Sequence, residues 1–155
     1  MTDAMRTVAV GSSEARVLWE ARKSPNTGRW HARTGDRQAE LEVADGVDLL
    51  LRLDAAVRAA VGLSTDPCTA TPRLTVRAQS YSHGDLYELE EDTIWTVSDR
   101  GTPVWQFRGG DSYDYDGSGW AGPTGSHGVD EVVVAADGAH VLVREGGEVT
   151  CWMAP

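Results

Sequence analysis

The sequence predicts an α+β domain, in which a predominantly antiparallel β-meander forms an open or barrel-like sheet with one principal helix packed on it. Three observations lead to this prediction. Residues 45–62 carry apolar side chains at helical spacing, and residues 73–155 carry short apolar runs separated by turn-forming residues. The length of 155 residues suits a single domain, 1–155, that can bury its own core.

The helix is the most clearly marked element of the sequence. Asp45 is predicted to cap its N-terminus, with Asp48 in the capping-box position, and Gly62 is suited to its C-terminal end. The apolar side chains expected to share its buried face are Leu49, Leu50, Leu53, Ala56, Val57, Ala60 and Val61. Two oppositely charged pairs are expected on its solvent-facing side: Asp48–Arg52 and Asp54–Arg58.

Strands are predicted on both sides of the helix. Residues 1–63 combine an N-terminal hairpin with the helix, and residues 64–72 form a linker rich in Pro, Thr and Asp. A β-meander is expected over residues 73–155, with turns at Asp137-Gly138 and Gly146-Gly147. The predicted strands cover residues 7–10, 15–22, 29–33, 38–44, 73–81, 86–90, 93–98, 103–108, 129–135, 140–144 and 148–153.

Charge is distributed unevenly along the chain, whose net charge is −10. Residues 1–78 contain 11 Lys or Arg and 10 Asp or Glu, whereas residues 79–155 contain 3 and 14, so the net charges are +1 and −11. An acidic C-terminal half favours a basic protein partner and disfavours nucleic acid, because phosphate binding needs a positive surface. The first half contains a basic cluster formed by Arg16, Arg22, Lys23, Arg29, Arg33 and Arg37.

The sequence also favours a soluble cytoplasmic protein with no membrane partner. Its longest apolar stretch, residues 47–63, is interrupted by four charged residues and is not expected to span a bilayer. No N-terminal apolar run has the length of a signal peptide. The two cysteines, Cys68 and Cys151, lie far apart and lack metal-ligand spacing, which is typical of a reducing compartment, and a disulfide between them is left open.

Residues 109–128 are predicted to form a long loop, and such loops without secondary structure are usually functional or disordered. The segment places carboxylates beside aromatic rings, a combination that can anchor a partner and select it by charge. The candidate binding residues, including two tryptophans of neighbouring strands, are Asp111, Tyr113, Asp114, Tyr115, Asp116, Trp120, Trp95 and Trp105.

No catalytic residue, metal site or cofactor is predicted. Residues 114–119 match the first half of a calcium loop, but Gly125 stands where the pattern requires a carboxylate. The histidines show no metal-ligand spacing. Ser112, Asp137 and His140 are residue types of a hydrolase triad, yet their close spacing favours a hairpin turn at Asp137.

Two functions from different classes fit these features. The first is a non-catalytic intracellular binding protein, such as an inhibitor, immunity-type or accessory factor, whose acidic C-terminal face engages a basic protein. The alternative is a small enzyme or ligand-binding β-barrel that takes a small molecule. Its pocket would be lined by Trp95, Trp105, Tyr113, Tyr115 and Trp120. A flat acidic surface favours the first function, and a deep aromatic pocket favours the second.

Overall fold

The computed structural model describes residues 8–9, 16–64, 71–84, 88–115 and 120–153. These residues form one helix, α1 (Leu49–Val61), and eleven strands. The strands are β1 (Val8–Ala9), β2 (Arg16–Lys23), β3 (Trp30–Thr34), β4 (Arg37–Leu41), β5 (Leu74–Gly84), β6 (Glu88–Asp99), β7 (Thr102–Tyr115), β8 (Trp120–Gly128), β9 (Glu131–Val134), β10 (His140–Glu145) and β11 (Glu148–Met153). The predicted α+β class, strand-rich and antiparallel with one principal helix, is confirmed.

The strands divide between two open sheets, whereas the sequence led us to expect one. The five-stranded sheet has the order β1-β7-β6-β5, with β8 paired to β7. The six-stranded sheet has the order β4-β3-β2-β11-β10-β9. Alternating apolar residues show that a strand is half-buried, but they do not show which sheet it joins. That choice depends on long-range pairs such as β2 with β11.

The six-stranded sheet lies between α1 and the five-stranded sheet, and β10 illustrates this arrangement. Its residues Val141 and Val143 belong to the same hydrophobic cluster as Trp105 of β7. Leu142 points to the other side, into a cluster that contains Leu53 of α1. Because both faces are covered, three consecutive residues of β10 are buried.

The start of α1 differs from the prediction. Its N-cap is Asp48, which has a left-handed backbone with φ 58° and makes no capping hydrogen bond through its side chain. The Asp45 carboxylate instead accepts hydrogen bonds from Lys23 Nζ at 3.1 Å. The predicted Asp45 cap is wrong because positive φ angles at Gly46 and Asp48 turn the chain before helical hydrogen bonding begins.

The rest of α1 follows the predicted pattern more closely. The buried part of its predicted apolar face consists of Leu50, Leu53, Val57 and Val61. Gly62 ends the helix with φ 76°, as predicted. The Arg52 guanidinium donates hydrogen bonds to the backbone oxygens of Ala44 and Val47, at 2.7 and 3.0 Å, so it holds the loop before the helix.

The second predicted surface pair, Asp54 and Arg58, is buried, with exposures of 4% and 5%. Arg58 Nε and Trp19 Nε1 each donate a hydrogen bond of 2.8 Å to Asp54 Oδ1. Arg58 Nη1 also donates to Asp137 Oδ2 at 3.0 Å, in the turn between β9 and β10. The predicted solvent-facing position is wrong because i,i+4 spacing indicates that two side chains can pair but not whether a sheet covers them.

A close chain crossing connects the two sheets. After β8 the chain passes over β7, where Val129 N donates a hydrogen bond to Arg108 O at 3.0 Å. A Cβ atom at Gly109 would lie 1.8 Å from Val129 O, so only glycine fits there. Gly128, with φ 70°, begins the turn that carries the chain toward β9.

The predicted loop at residues 109–128 is wrong, because most of it is a β-hairpin. β7 continues to Tyr115, and β8 returns antiparallel to it with a register shift between Ser112 and Asp114. This segment is rich in glycine and polar residues, and it lacks the alternation of apolar residues by which strands are predicted. Backbone pairing of β7 with β6 extends the strand beyond its apolar part.

Candidate functional site on a projecting arm

The far ends of β5, β6 and β7 and the whole of β8 form an acidic arm, here defined as residues 80–84, 88–93, 109–115 and 120–128. The two hydrophobic clusters include none of the side chains that the structure describes in this arm. The arm contains no Lys or Arg, and its acidic residues are Glu88, Glu90, Glu91, Asp92, Asp111 and Asp114. Among the side chains that the structure describes in the arm, backbone pairing and polar contacts are therefore the interactions that connect its strands.

The arm has two faces because successive side chains of a strand point in opposite directions. Its inner face continues the side of the sheet on which Phe107 packs into the core, and its outer face is the opposite side. On the inner face, Glu91 of β6 and Asp111 of β7 lie directly opposite each other. Burial, together with the charges of Glu91 and Asp111, raises the pKa of Tyr113 above its ordinary value. The inner face thus combines two carboxylates with an aromatic ring.

The structure separates the sequence-predicted binding residues into three groups. Asp111 and Tyr113 lie together on the inner face of the arm. Trp105 is 1% exposed in the core between the sheets, and Trp95 is partly buried against the same cluster, so both lie on the same side of the sheet as Asp111 and Tyr113 but in its core part, outside the arm. Of the remaining residues, three lie at the ends of β7 and β8 where the hairpin turns: Asp114, Tyr115 and Trp120. Asp116 lies outside the described residues, as does most of the predicted calcium half-loop.

The outer face of the arm carries a cluster of two histidines and two carboxylates. His83 Nε2 lies 2.9 Å from Asp92 Oδ2 and 3.5 Å from Glu90 Oε2. His127 Nε2 lies 3.4 Å from Asp92 Oδ1. The hydrogen bond with His83 lowers the pKa of Asp92, and the charge of Arg108 acts in the same direction, against the effect of burial. Asp92 is thus the carboxylate that links the two imidazoles.

Gly110 leaves room for this cluster on the middle strand. In the strand register it lies between Asp92 of β6 and His127 of β8. A Cβ atom at this position would lie 2.5 Å from Asp92 Oδ1 and 3.0 Å from His127 Cε1. The missing side chain therefore lets the Asp92 carboxylate and the His127 ring approach each other across β7.

A groove of about 550 Å³ lies on the face of the six-stranded sheet opposite α1. It contains part of the basic cluster predicted from the sequence, but these side chains have acidic partners. Arg22 Nη2 donates to Glu148 Oε1 at 2.6 Å, and Arg33 pairs with Glu20. Because the opposite charges are paired within the groove, it offers no strong preference for an anionic or a cationic ligand.

The buried polar residues beside α1 are better explained as structural than as catalytic. Burial raises the pKa of the Cys151 thiol well above its ordinary value, and a protonated thiol is a poor nucleophile. His140 Nδ1 lies 2.6 Å from Asp137 Oδ2, but the same oxygen accepts a hydrogen bond from Arg58. Ser112, which would complete a hydrolase triad, lies on β7 within the arm.

The chain has no match among models of protein families, curated protein sequences or solved structures. Within the described ranges, no helix combines the length and apolar character needed to cross a bilayer.

Sequence reasoning missed the outer-face cluster because its histidines lie far apart in the chain. Their relation becomes visible only in the strand register, where His83 is opposite Glu90 and His127 is opposite Gly110. The usable signal was the adjacent pair Gly109-Gly110 between polar residues, because consecutive glycines inside a strand often mark close approach of other groups.

Proposed function

We propose that the protein is a non-catalytic binding protein whose acidic arm engages a basic protein partner. The observation that carries this proposal is the composition of the arm, which has six carboxylates, no Lys or Arg, and no described side chain in either core cluster. Such a surface attracts cationic partners over a distance of about 8 Å at physiological ionic strength.

The inner face of the arm supplies the contact that we propose. Side chains directly opposite each other on antiparallel strands are separated by about 4.5–5.5 Å between Cβ atoms. The carboxylates of Glu91 and Asp111 are placed in this way and can receive one guanidinium or ammonium group between them. Tyr113 lies beside them and offers an aromatic face to the same cation.

The position of Glu91 directly opposite Asp111 on the neighbouring strand also supports a role in binding rather than a purely structural role. Like charges directly opposite each other on adjacent strands destabilise a sheet. A basic side chain of a partner would interact favourably with both carboxylates, which favours a cationic partner over a neutral or an acidic one. A flat face of a sheet suits a protein surface better than an enclosed small molecule.

The proposal includes the biological setting expected from the sequence. An inhibitor, immunity-type or accessory protein of the cytoplasm would use such an acidic surface against a basic target. Cys151 is a free thiol, fully buried, and a free cysteine suits a reducing compartment.

Capture of proteins from a lysate of the native host tests the proposal. Wild type is compared with an arm variant, Glu91→Gln with Asp111→Asn, and with a control variant, Glu40→Gln with Glu42→Gln. The control variant has the same change in net charge, because it removes two exposed carboxylates that pair with Arg29, those of Glu40 on β4 and of Glu42 just beyond it. The proposal predicts a basic protein that wild type and the control retain and the arm variant loses. Equal capture of every protein by all three contradicts it.

A further inference from the structure

We infer that the outer face of the arm is a binding site for a divalent transition-metal ion, with His83, Glu90, Asp92 and His127 as ligands. These residues come from β5, β6 and β8, so the site would connect three strands of the arm. The site lies on the face opposite Glu91 and Asp111 and does not depend on the proposed partner.

The distances among the ligand atoms fit a small coordination sphere. Zinc bonds of about 2.0–2.1 Å in a tetrahedral site place neighbouring ligand atoms about 3.4 Å apart. The three measured separations, from His83 Nε2 to Asp92 and Glu90 and from His127 Nε2 to Asp92, are 2.9, 3.5 and 3.4 Å. One ligand atom each of His83, Glu90 and Asp92 lies within 4.8 Å of the others. His127 Nε2 approaches the other oxygen of Asp92, Oδ1, so His127 would become the fourth ligand through a rotation of its side chain.

The chemistry of the ligands selects a class of metal. Two carboxylates and two neutral imidazoles carry a charge of −2, which a divalent cation balances. Imidazole nitrogen is a good ligand for zinc, copper, nickel and iron, whereas calcium and magnesium prefer oxygen ligands. An incoming ion can reach three of the four ligands directly, because His83, Glu90 and His127 are about half exposed, whereas Asp92 is 15% exposed between them.

Gly110 provides an independent argument for the site. Glycine in a strand interior weakens the strand, so its presence calls for a structural or functional reason. Gly110 does not have one of the positive φ angles that favour glycine, and the chain crossing uses Gly109 rather than Gly110. What Gly110 provides is space, because a Cβ atom there would lie 2.5 Å from Asp92 Oδ1 and 2.6 Å from the backbone oxygen of Glu91. The middle strand is thus kept open where ligands from both neighbouring strands meet.

Zinc titration of the chelator-treated, full-length protein tests the site, with calorimetry and competition against a chromophoric chelator as readouts. We expect one Zn²⁺ per chain with micromolar or tighter affinity. The double variant His83→Gln, His127→Gln should bind at least about 100-fold more weakly, since even residues that only orient a ligand contribute about 10–100-fold. The matched control His31→Gln, which changes an exposed histidine bonded to Gln38, should bind like wild type.

A second variant tests the geometry while keeping every ligand. Gly110→Ala should weaken zinc binding at least about 10-fold, because the new Cβ would lie 2.5 Å from Asp92 Oδ1 and 2.6 Å from the backbone oxygen of Glu91, so the carboxylate and the strand that carries it must both move. Gly147→Ala serves as its control, since a Cβ there meets nothing closer than 3.8 Å. Circular dichroism and the urea midpoint establish that each variant is folded.

Specific results would overturn the inference. It fails if Zn²⁺ does not bind in the micromolar range, or if the double histidine variant binds Zn²⁺ like wild type. It also fails if Ca²⁺ displaces Zn²⁺ at equal concentration, because imidazole ligands would then not determine the selectivity.

In NMR spectra, Zn²⁺ should change the chemical shifts of the ring nitrogens of His83 and His127 and leave those of His31 and His140 unchanged. These titrations contain no partner protein, so their outcome is distinguishable from that of the proposed function.

Discussion

Arg58 Nε donates a hydrogen bond of 2.8 Å to Asp54 Oδ1 inside the core, one helical turn away on α1. Both residues face the six-stranded sheet, and Asp54 Oδ1 also accepts a hydrogen bond from Trp19 on β2. Through Asp137, the same guanidinium reaches the turn between β9 and β10. This network attaches the helix to two separate parts of the sheet, and the stability of the domain should depend on it.

Replacing Arg58 with Met should lower the free energy of unfolding by about 3–5 kcal/mol, because Asp54 and Asp137 would lose their buried cationic partner. The control Arg22→Met breaks an ion pair in which Arg22 is 72% exposed, and it should cost less than about 1 kcal/mol. Urea denaturation of both variants provides the comparison. Equal losses would show that the buried network contributes no more than a surface pair.

The pair Arg73–Asp99 should make stability depend on pH in the acidic range. Arg73 donates two hydrogen bonds to the Asp99 carboxylate, at 2.9 and 2.8 Å, and these lower the pKa of Asp99 against the effect of burial. A carboxyl group whose pKa is lower in the folded than in the unfolded protein stabilises the folded state at pH values above its unfolded-state pKa, which is about 3.9 for Asp. That stabilisation is lost as the pH falls through the lower, folded-state pKa.

Accordingly, Asp99→Asn should be less stable than wild type at neutral pH, and the difference should shrink as the pH falls below about 4. Urea midpoints measured between neutral pH and the acid limit of folding test this expectation. A difference that stays constant down to that limit would contradict a role for the Asp99 charge.

Gly109→Ala should disturb the crossing between the two sheets. Its Cβ would lie 1.8 Å from Val129 O and 2.7 Å from Val129 C, so the backbone must move. We expect a loss of at least about 2 kcal/mol in the free energy of unfolding, as for an overpacked core. The matched control is Gly147→Ala, because a Cβ atom there would lie no closer than 3.8 Å to any other atom. Similar urea midpoints for the two variants would refute the steric argument.

The like-charged pair of the arm should show a conflict between stability and binding. Glu91→Gln removes the repulsion with Asp111 and should raise the free energy of unfolding by about 0.2–1 kcal/mol. Glu42→Gln removes a carboxylate 3.1 Å from Arg29 and should leave stability unchanged or slightly lower. If Glu91→Gln is instead destabilising in thermal and urea unfolding, Glu91 has a structural role in the arm.

Local sequence signals predicted much of the fold. Alternating apolar residues and turn-forming glycines predicted strands whose bounds nearly match those of β2, β3, β10 and β11. Gly62 correctly predicted the end of α1. The register and the choice of sheet depend on contacts between distant segments, which no local pattern contains. The burial of Asp54 and Arg58 could not be predicted for the same reason, because their cover comes from β2 and the β9–β10 turn.

The candidate site was predicted only in part. Asp111 and Tyr113 were selected because acidic and aromatic residues are concentrated there, and they lie together on the arm. Trp105 was selected with them because aromatic residues serve both cores and binding sites, and composition alone does not distinguish the two uses. His83 and His127 were missed because antiparallel pairing, rather than sequence proximity, brings them to Asp92.

We propose that the charge of the arm recruits a basic partner. The association rate of the captured partner, measured on a sensor surface at a series of salt concentrations, tests this proposal. Wild type is compared with the arm variant and with the control variant at Glu40 and Glu42, which carries the same net charge as the arm variant.

We expect the arm variant to associate about 10-fold or more slowly than wild type and to lose much of the salt dependence, while the control keeps the wild-type association rate and salt dependence. Tyr113→Ala should mainly speed dissociation, because aromatic anchors act on the lifetime of a complex. Identical association rates and salt dependence for wild type and the arm variant would contradict the account and exclude the inner face of the arm as the binding surface.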